Sequence, residues 1–147
     1  MSLVRNVHPR IIGFFTRALS HEYTAVQQYR TQSSLCTLWE LSDWAQYFRN
    51  EAREELDHAG ILSQQLLLKG IAPTGAQLRP PRPGRDLREM LVHDQELEFS
   101  AVQLYSEAQD FSERMRDMAS AQVFAALRVD EEGHLRALAE MLARFES

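Results

Sequence analysis

The chain has 147 residues, of which 44% are hydrophobic and 25% are charged, so one globular domain over residues 1–147 with a sizeable core is expected. Its 21 acidic and 16 basic residues give a net charge of −5, and no basic stripe with interleaved aromatic residues indicates a nucleic-acid partner. No apolar run reaches membrane-spanning length, no signal peptide is visible, and a single cysteine excludes a disulfide within one chain, so we expect a cytoplasmic protein.

Helical periodicity begins near Pro9, which suits the first position of a helix because its missing N–H leaves no bond unmade. Apolar and ionisable residues then recur at three- and four-residue steps, which predicts a first helix over residues 9–36. Thr37, followed three positions later by Glu40, resembles a capping box and predicts the start of a second helix. Because a glycine follows its last turn, this helix is expected to span residues 38–69.

The segment over residues 71–85 is irregular, because its prolines and glycines interrupt helical structure. Its length fits a crossover that connects two parallel helices. Asp86, with Glu89 three residues later, predicts a third helix over residues 87–111, and a fourth is expected over residues 115–145. The chain is therefore predicted to be an all-α bundle of four helices with a long crossover between the second and the third.

The two halves of the chain repeat at an offset of 76 residues, and each half combines one glutamate with a Glu-x-x-His sequence that begins 33 residues later. Residues three apart on a helix lie on one face, so the glutamate and histidine of each Glu-x-x-His are expected to point the same way. The six residues are Glu22, Glu55, His58, Glu98, Glu131 and His134.

Helical phasing places these carboxylates on buried faces, since Glu22 lies between Leu19 and Val26 in the apolar pattern. Burying a carboxylate costs several kcal/mol unless it is paired or bound to a metal. Four carboxylates and two neutral imidazoles balance two divalent cations, and this ligand mixture suits iron or manganese, with zinc as a competitor. A lone Glu-x-x-His is more often a solvated surface pair, but two copies at matched offsets favour a di-metal centre in a four-helix bundle.

The sequence resembles bacterioferritin over nearly its whole length. The motifs are Glu-x-x-Ala-x-x-x-Tyr from Glu22 to Tyr29, Glu-x-x-His-Ala from Glu55, Asp-x-x-Leu-Glu from Asp94, and Asp-Glu-Glu-Gly-His up to His134. The resemblance implies a ferritin-like bundle in which the six residues are ferroxidase-centre ligands, with Glu55 and Glu131 as the bridging carboxylates. It also implies that Tyr29 lies near the di-iron site and supplies an electron or a hydrogen bond, while a packed core tyrosine is the alternative.

Three features depart from the bacterioferritin pattern. The family's haem-binding methionine, directly after the second-helix glutamate, is replaced by Leu56, which cannot bind iron, so haem is not expected by that route. The chain stops at Ser147 without the family's short fifth helix, which argues against the family's closed shell and favours a smaller homo-oligomer, a dimer at least. The histidine and aspartate of the family's inner-surface iron site correspond to Asn50 and Glu54.

The resemblance implies a protein that binds two iron ions per chain and oxidises Fe(II) with dioxygen or peroxide, as part of iron homeostasis. A non-storage iron or manganese oxidoreductase, such as a peroxide scavenger, is one alternative. The other is a redox-silent helical protein that carries a metal such as zinc.

Overall fold

Four long α-helices contain most of the chain in a computed structural model that describes residues 6–75 and 77–146. They are α1 (Pro9–Leu38), α2 (Ser42–Leu68), α3 (Leu87–Arg114) and α4 (Met118–Glu146). No β-strand occurs within the two described ranges, which confirms the predicted all-α fold. Among the described residues, no helix is both long and apolar enough to span a lipid bilayer.

The predicted start of the second helix after Thr37 is wrong, because α1 continues past this residue and α2 begins only at Ser42. The Thr37 hydroxyl donates to the Ser33 carbonyl within α1, so it is not available to cap a following helix. The chain reverses direction at Glu40, whose φ of 60° lies in the left-handed region. A left-handed glutamate is uncommon, so helical periodicity does not reveal this turn.

Aspartate side chains cap the first turns of α3 and α4. Asp86 precedes α3 as predicted, and its Oδ1 accepts a hydrogen bond from the Glu89 N–H at 2.8 Å. Helix α3 continues three residues beyond the predicted end, and α4 begins at Met118, three residues later than predicted. The reason is that Asp117 caps α4, since its Oδ1 accepts from the Ser120 N–H at 3.1 Å.

The crossover between α2 and α3 lies along α1. It begins after Gly70, which follows α2 with a φ of 76°. Further on, the Arg79 N–H donates to Thr24 Oγ1, and the Arg82 N–H donates to Gln28 Oε1. Because later crossover residues contact later α1 residues, the crossover runs parallel to α1 and returns the chain to the end where α2 began. Helices α2 and α3 therefore point in the same direction, as predicted.

The core consists of two apolar clusters with a polar layer between them. One cluster includes Phe15, Leu62 and Phe124, and the other includes Phe48 and Leu138. Every helix contributes one set of residues to each cluster, and its buried glutamate lies between these two sets along the helix. The polar layer therefore lies near the middle of the bundle, where all four helices can contribute side chains to one site.

Candidate metal centre

The six predicted residues converge in this polar layer as two overlapping groups. The first group is Glu22, Glu55, His58 and Glu131, and the second is Glu55, Glu98, Glu131 and His134. Within each group, one possible ligand atom per residue lies within 4.8 Å of those of the other members. All four glutamates are at most 1% exposed, so the layer is shielded from bulk water. Glu55 and Glu131 belong to both groups and therefore lie between the other members.

Eight oxygen and nitrogen atoms of these residues are buried and make no hydrogen bond. They are one oxygen each of Glu22 and Glu98, both oxygens of Glu55 and Glu131, and Nδ1 of His58 and of His134. Buried polar atoms without hydrogen bonds cost free energy, so eight of them in one layer favour a bound ligand. The set offers four atoms to each of two positions, and mixed carboxylate and imidazole donors suit iron, manganese or zinc. These residues therefore fit a di-metal centre.

Two buried tyrosines each donate a hydrogen bond to a glutamate of this centre that belongs to the other repeat. Tyr29 on α1 donates to Glu98 Oε1 on α3 at 2.6 Å, and Tyr105 on α3 donates to Glu22 Oε1 on α1 at 2.5 Å. Burial raises the pKa of both phenols well above the ordinary value, so both keep the proton that they donate. Tyr29 was predicted to lie at the site, whereas no role was predicted for Tyr105, although the 76-residue offset relates the two.

Each histidine faces the centre with Nδ1 and meets an outer carboxylate with Nε2. His58 Nδ1 lies 2.7 Å from Glu131 Oε1, although without hydrogen-bond geometry, and its Nε2 lies 3.1 Å from Asp130 Oδ2. His134 Nε2 contacts Glu54 in the same way. These two contacts were not predicted, although Glu54 and Asp130 are also separated by the repeat offset of 76 residues. Such outer carboxylates fix the orientation of an imidazole and leave its other nitrogen for a metal.

The charges of the centre are strongly coupled. Burial lowers the pKa of His58 and His134, but the surrounding carboxylates outweigh this effect and raise the two values to about 10 and about 12. Burial raises the pKa of Glu131, but the two histidines bring it down to about 2. Burial and the charge of Glu22 raise the pKa of Glu55. Protons on the imidazoles therefore offset part of the carboxylate charge, and an incoming metal must displace them.

A buried polar network adjoins one end of the centre. Asp94 Oδ1, one helical turn from Glu98, accepts hydrogen bonds from Gln28 Nε2 at 2.9 Å and Gln32 Nε2 at 2.7 Å. Burial raises the pKa of Asp94 to about 8 in spite of these amide donors. At the repeat offset of 76 residues, Asp94, Gln28 and Gln32 correspond to Ala18, Leu104 and Ala108. The two ends of the centre are therefore not equivalent, because these three polar residues at one end have apolar counterparts at the other.

The bundle connectivity and the carboxylate–histidine layer together define the ferritin-like class of four-helix proteins. A family model described as the ferritin-like domain matches residues 14–147. Bacterioferritin of Rhodobacter capsulatus is 36% identical over 138 residues, which cover 93% of this chain and 85% of that protein. Bacterioferritin of Streptomyces coelicolor is 31% identical over 138 residues, which cover 94% of this chain and 83% of that protein.

A solved structure of Rhodobacter capsulatus bacterioferritin, described as having a metal-free dinuclear site and a haem iron, is similar at a TM-score of 0.93. Its sequence is 33% identical, and the match covers 96% of this chain and 88% of that one. The chain belongs to the bacterioferritin family.

Proposed function

We propose that the chain binds two ferrous ions in its polar layer and oxidises them with dioxygen or peroxide, as part of iron storage and homeostasis. The observation that carries this proposal is the set of eight buried ligand atoms without hydrogen bonds, which divide equally between two positions. Four carboxylates and two neutral imidazoles would neutralise two divalent cations, so the charge of the layer also fits. Membership of the bacterioferritin family supports iron storage and ferroxidase chemistry, and it does not favour the peroxide-scavenging or redox-silent alternatives.

The roles of the six residues follow from the atoms that they leave free. Glu22 and His58 would bind one ion, and Glu98 and His134 would bind the other. The two remaining carboxylates, Glu55 and Glu131, leave both oxygens free and belong to both groups, so they would bridge the ions.

The reaction is balanced by a simple electron count. Two Fe(II) substrates give up two electrons, which with two protons reduce dioxygen to hydrogen peroxide or reduce hydrogen peroxide to two waters. Tyr29 would assist, because its hydrogen bond to Glu98 Oε1 at 2.6 Å connects the phenol to one ligand set. From this position it can hold the carboxylate or donate an electron together with its phenolic proton.

Rapid oxidation of added Fe(II) tests the proposal. The alanine variants of Glu55 and His134 should lose it, because each removes buried ligand atoms from the layer. The matched control is Glu107→Ala, which truncates an exposed glutamate on α3 and should oxidise iron as the wild type does. Unchanged rates in Glu55→Ala and His134→Ala would remove the enzymatic proposal.

The identity of the metal is a separate part of the proposal. Iron is proposed as the native ion, while manganese and zinc suit the same ligands. Elemental analysis of protein purified from its native host tests this choice, and two irons per chain are expected. A preparation that contains zinc alone and does not oxidise Fe(II) would support the redox-silent alternative.

Haem binding through the family's methionine position is not proposed for this chain. Leu56 occupies that position and is 51% exposed on the outer face of α2, where its hydrocarbon side chain offers no ligand atom. Absorbance after haem addition tests this point, because Leu56→Met should gain a haem spectrum that the wild type lacks. Haem bound equally by both proteins would show another route of binding.

We also propose that the chain forms a homo-oligomer, a dimer at least. Apolar side chains such as Leu38, at 77% exposed, and Leu67, at 56% exposed, lie on the surface of the single chain, and association would cover part of this area. Native mass measured together with metal content tests the proposal. A monomer with a full complement of iron would contradict it.

A further inference from the structure

We propose that Tyr105 is a positioning residue for one of the two metal positions, a role that rests on the proposed function of the centre. Its phenol donates to Glu22 Oε1 at 2.5 Å. The other oxygen, Oε2, makes no hydrogen bond and lies 3.6 Å from His58 Nδ1. Tyr105 therefore restricts Glu22 to binding through Oε2 and holds that oxygen next to the histidine of the same position.

The packing around Tyr105 makes this restraint rigid. Its side chain is fully buried, and its ring centroid lies 6.3 Å from that of Phe124. Phe124 in turn packs against Phe15, with the two centroids 4.3 Å apart. Because the aromatic rings cannot shift without opening a cavity in the core, the phenol oxygen has a fixed position. The phenol oxygen of Tyr105 therefore sets the position of the Glu22 carboxylate.

The repeat supplies a second tyrosine in the same relation to the other metal position. Tyr29 donates to Glu98 Oε1 at 2.6 Å, and Glu98 Oε2 makes no hydrogen bond. Each position therefore has its own tyrosine, and each tyrosine belongs to the opposite repeat from the glutamate that it holds. Removing one phenol should affect one position only, so Tyr29 is the matched control for Tyr105.

Cobalt(II) binding tests this inference without measuring iron oxidation. Variants that lack one histidine weaken one position each, because His134→Ala removes the nitrogen ligand of the group around Glu98 and His58→Ala removes that of the group around Glu22. The tighter cobalt binding of each variant then reports the position that keeps its histidine. Tyr105→Phe and Tyr29→Phe are then introduced singly into both backgrounds. Cobalt affinity is measured by competition with a coloured chelator, and circular dichroism records the helical content of every variant.

The two phenylalanine variants should have opposite effects in the two backgrounds. In His134→Ala, Tyr105→Phe should weaken cobalt binding by about 10- to 100-fold, the usual loss when an outer partner of a metal ligand is removed. Tyr29→Phe should leave that affinity nearly unchanged. In His58→Ala the order should reverse. Equal weakening in both backgrounds, or unchanged affinity after Tyr105→Phe, would overturn the assignment.

A structure of zinc-loaded Tyr105→Phe gives a second readout in an otherwise unaltered centre. Glu22 should then bind through both oxygens or turn away from the position that it has in the wild type. A Glu22 carboxylate with the wild-type orientation would overturn the positioning role. If the wild type does not bind two cobalt ions, the proposed function itself fails. If it binds two ions and Tyr105→Phe has no effect, only the role of Tyr105 is removed.

Discussion

His58 on α2 and Asp130 on α4 are joined across the bundle, with Nε2 of the imidazole 3.1 Å from Oδ2 of the carboxylate. The repeat places His134 on α4 against Glu54 on α2, so the same contact occurs with the helices exchanged. In both pairs the carboxylate accepts from the outer nitrogen, which leaves Nδ1 facing the centre. The two helices that supply the histidines therefore also supply the groups that orient them.

Replacing Asp130 with asparagine should weaken metal binding at the position of His58. Amides accept hydrogen bonds less strongly than carboxylates do, so the imidazole loses orientation and basicity as a ligand. We expect a loss of about tenfold in zinc or cobalt affinity, the lower end of the usual range, because Asp130 is 59% exposed. Competition with a chelator measures it, and Glu132→Gln is the control, because this carboxylate pairs with Arg128 on the same helix. An affinity equal to that of the control would show that Asp130 does not support the ligand.

Metal affinity should rise with pH. The pKa values of His58 and His134 are raised to about 10 and about 12, so both imidazoles hold an extra proton at neutral pH. A metal binds the neutral imidazole and must therefore displace these protons, which is easier as the pH increases. Zinc titrations at several pH values, with proton release followed in weak buffer, measure the effect. An affinity that does not change with pH, with no release of protons, would contradict this charge state.

Substituting Glu55 with glutamine should separate stability from metal binding. Burial and the charge of Glu22 raise the pKa of Glu55, so the ionised form costs folding stability above the ordinary pKa of a glutamate. The variant without metal should be at least as stable as the wild type. Zinc at 100 times the wild-type Kd should stabilise the wild type by about 2.7 kcal/mol per bound ion and the variant by much less. Thermal unfolding with and without zinc measures both effects, and equal zinc stabilisation of the two proteins would exclude Glu55 as a ligand.

The chain's repeat explains why its sequence predicts the centre so well. The offset of 76 residues, combined with helical phasing, predicted both the four helices and the six residues that converge. The turn at Glu40 was missed, because a left-handed glutamate is uncommon and no glycine or proline marks the turn. Contacts such as Gln28 with Asp94 were also missed, since helical periodicity identifies the buried face of a helix but not which residues meet across two helices.

Asp94→Asn should remove a loss of stability that the wild type suffers as the pH rises. The pKa of Asp94 is about 8 in the folded chain against an ordinary value of 3.8, so between these values the unfolded chain is ionised while the folded chain keeps its proton. The wild type should therefore lose stability relative to the variant, by up to about 1.4 kcal/mol per pH unit. Asparagine keeps an oxygen that can accept from Gln28 and Gln32.

Denaturant unfolding of metal-free protein at several pH values measures the difference between wild type and Asp94→Asn. The control is Asp110→Asn, because Asp110 is exposed on the same helix. A stability difference that stays constant with pH would show that Asp94 is ionised in the folded chain as it is in the unfolded one.

Phe124→Ala should be among the most destabilising single changes in this core. The ring is fully buried, and it packs against Phe15 with centroids 4.3 Å apart and against Tyr105 with centroids 6.3 Å apart. Truncation would leave a cavity next to the centre, at a cost of about 3–5 kcal/mol. Phe99→Ala removes the same atoms from a side chain that is 52% exposed, so its cost should stay within about 0.5 kcal/mol, as is usual at the surface. Denaturant unfolding measures both, and equal losses would mean that Phe124 is not packed as the structure shows.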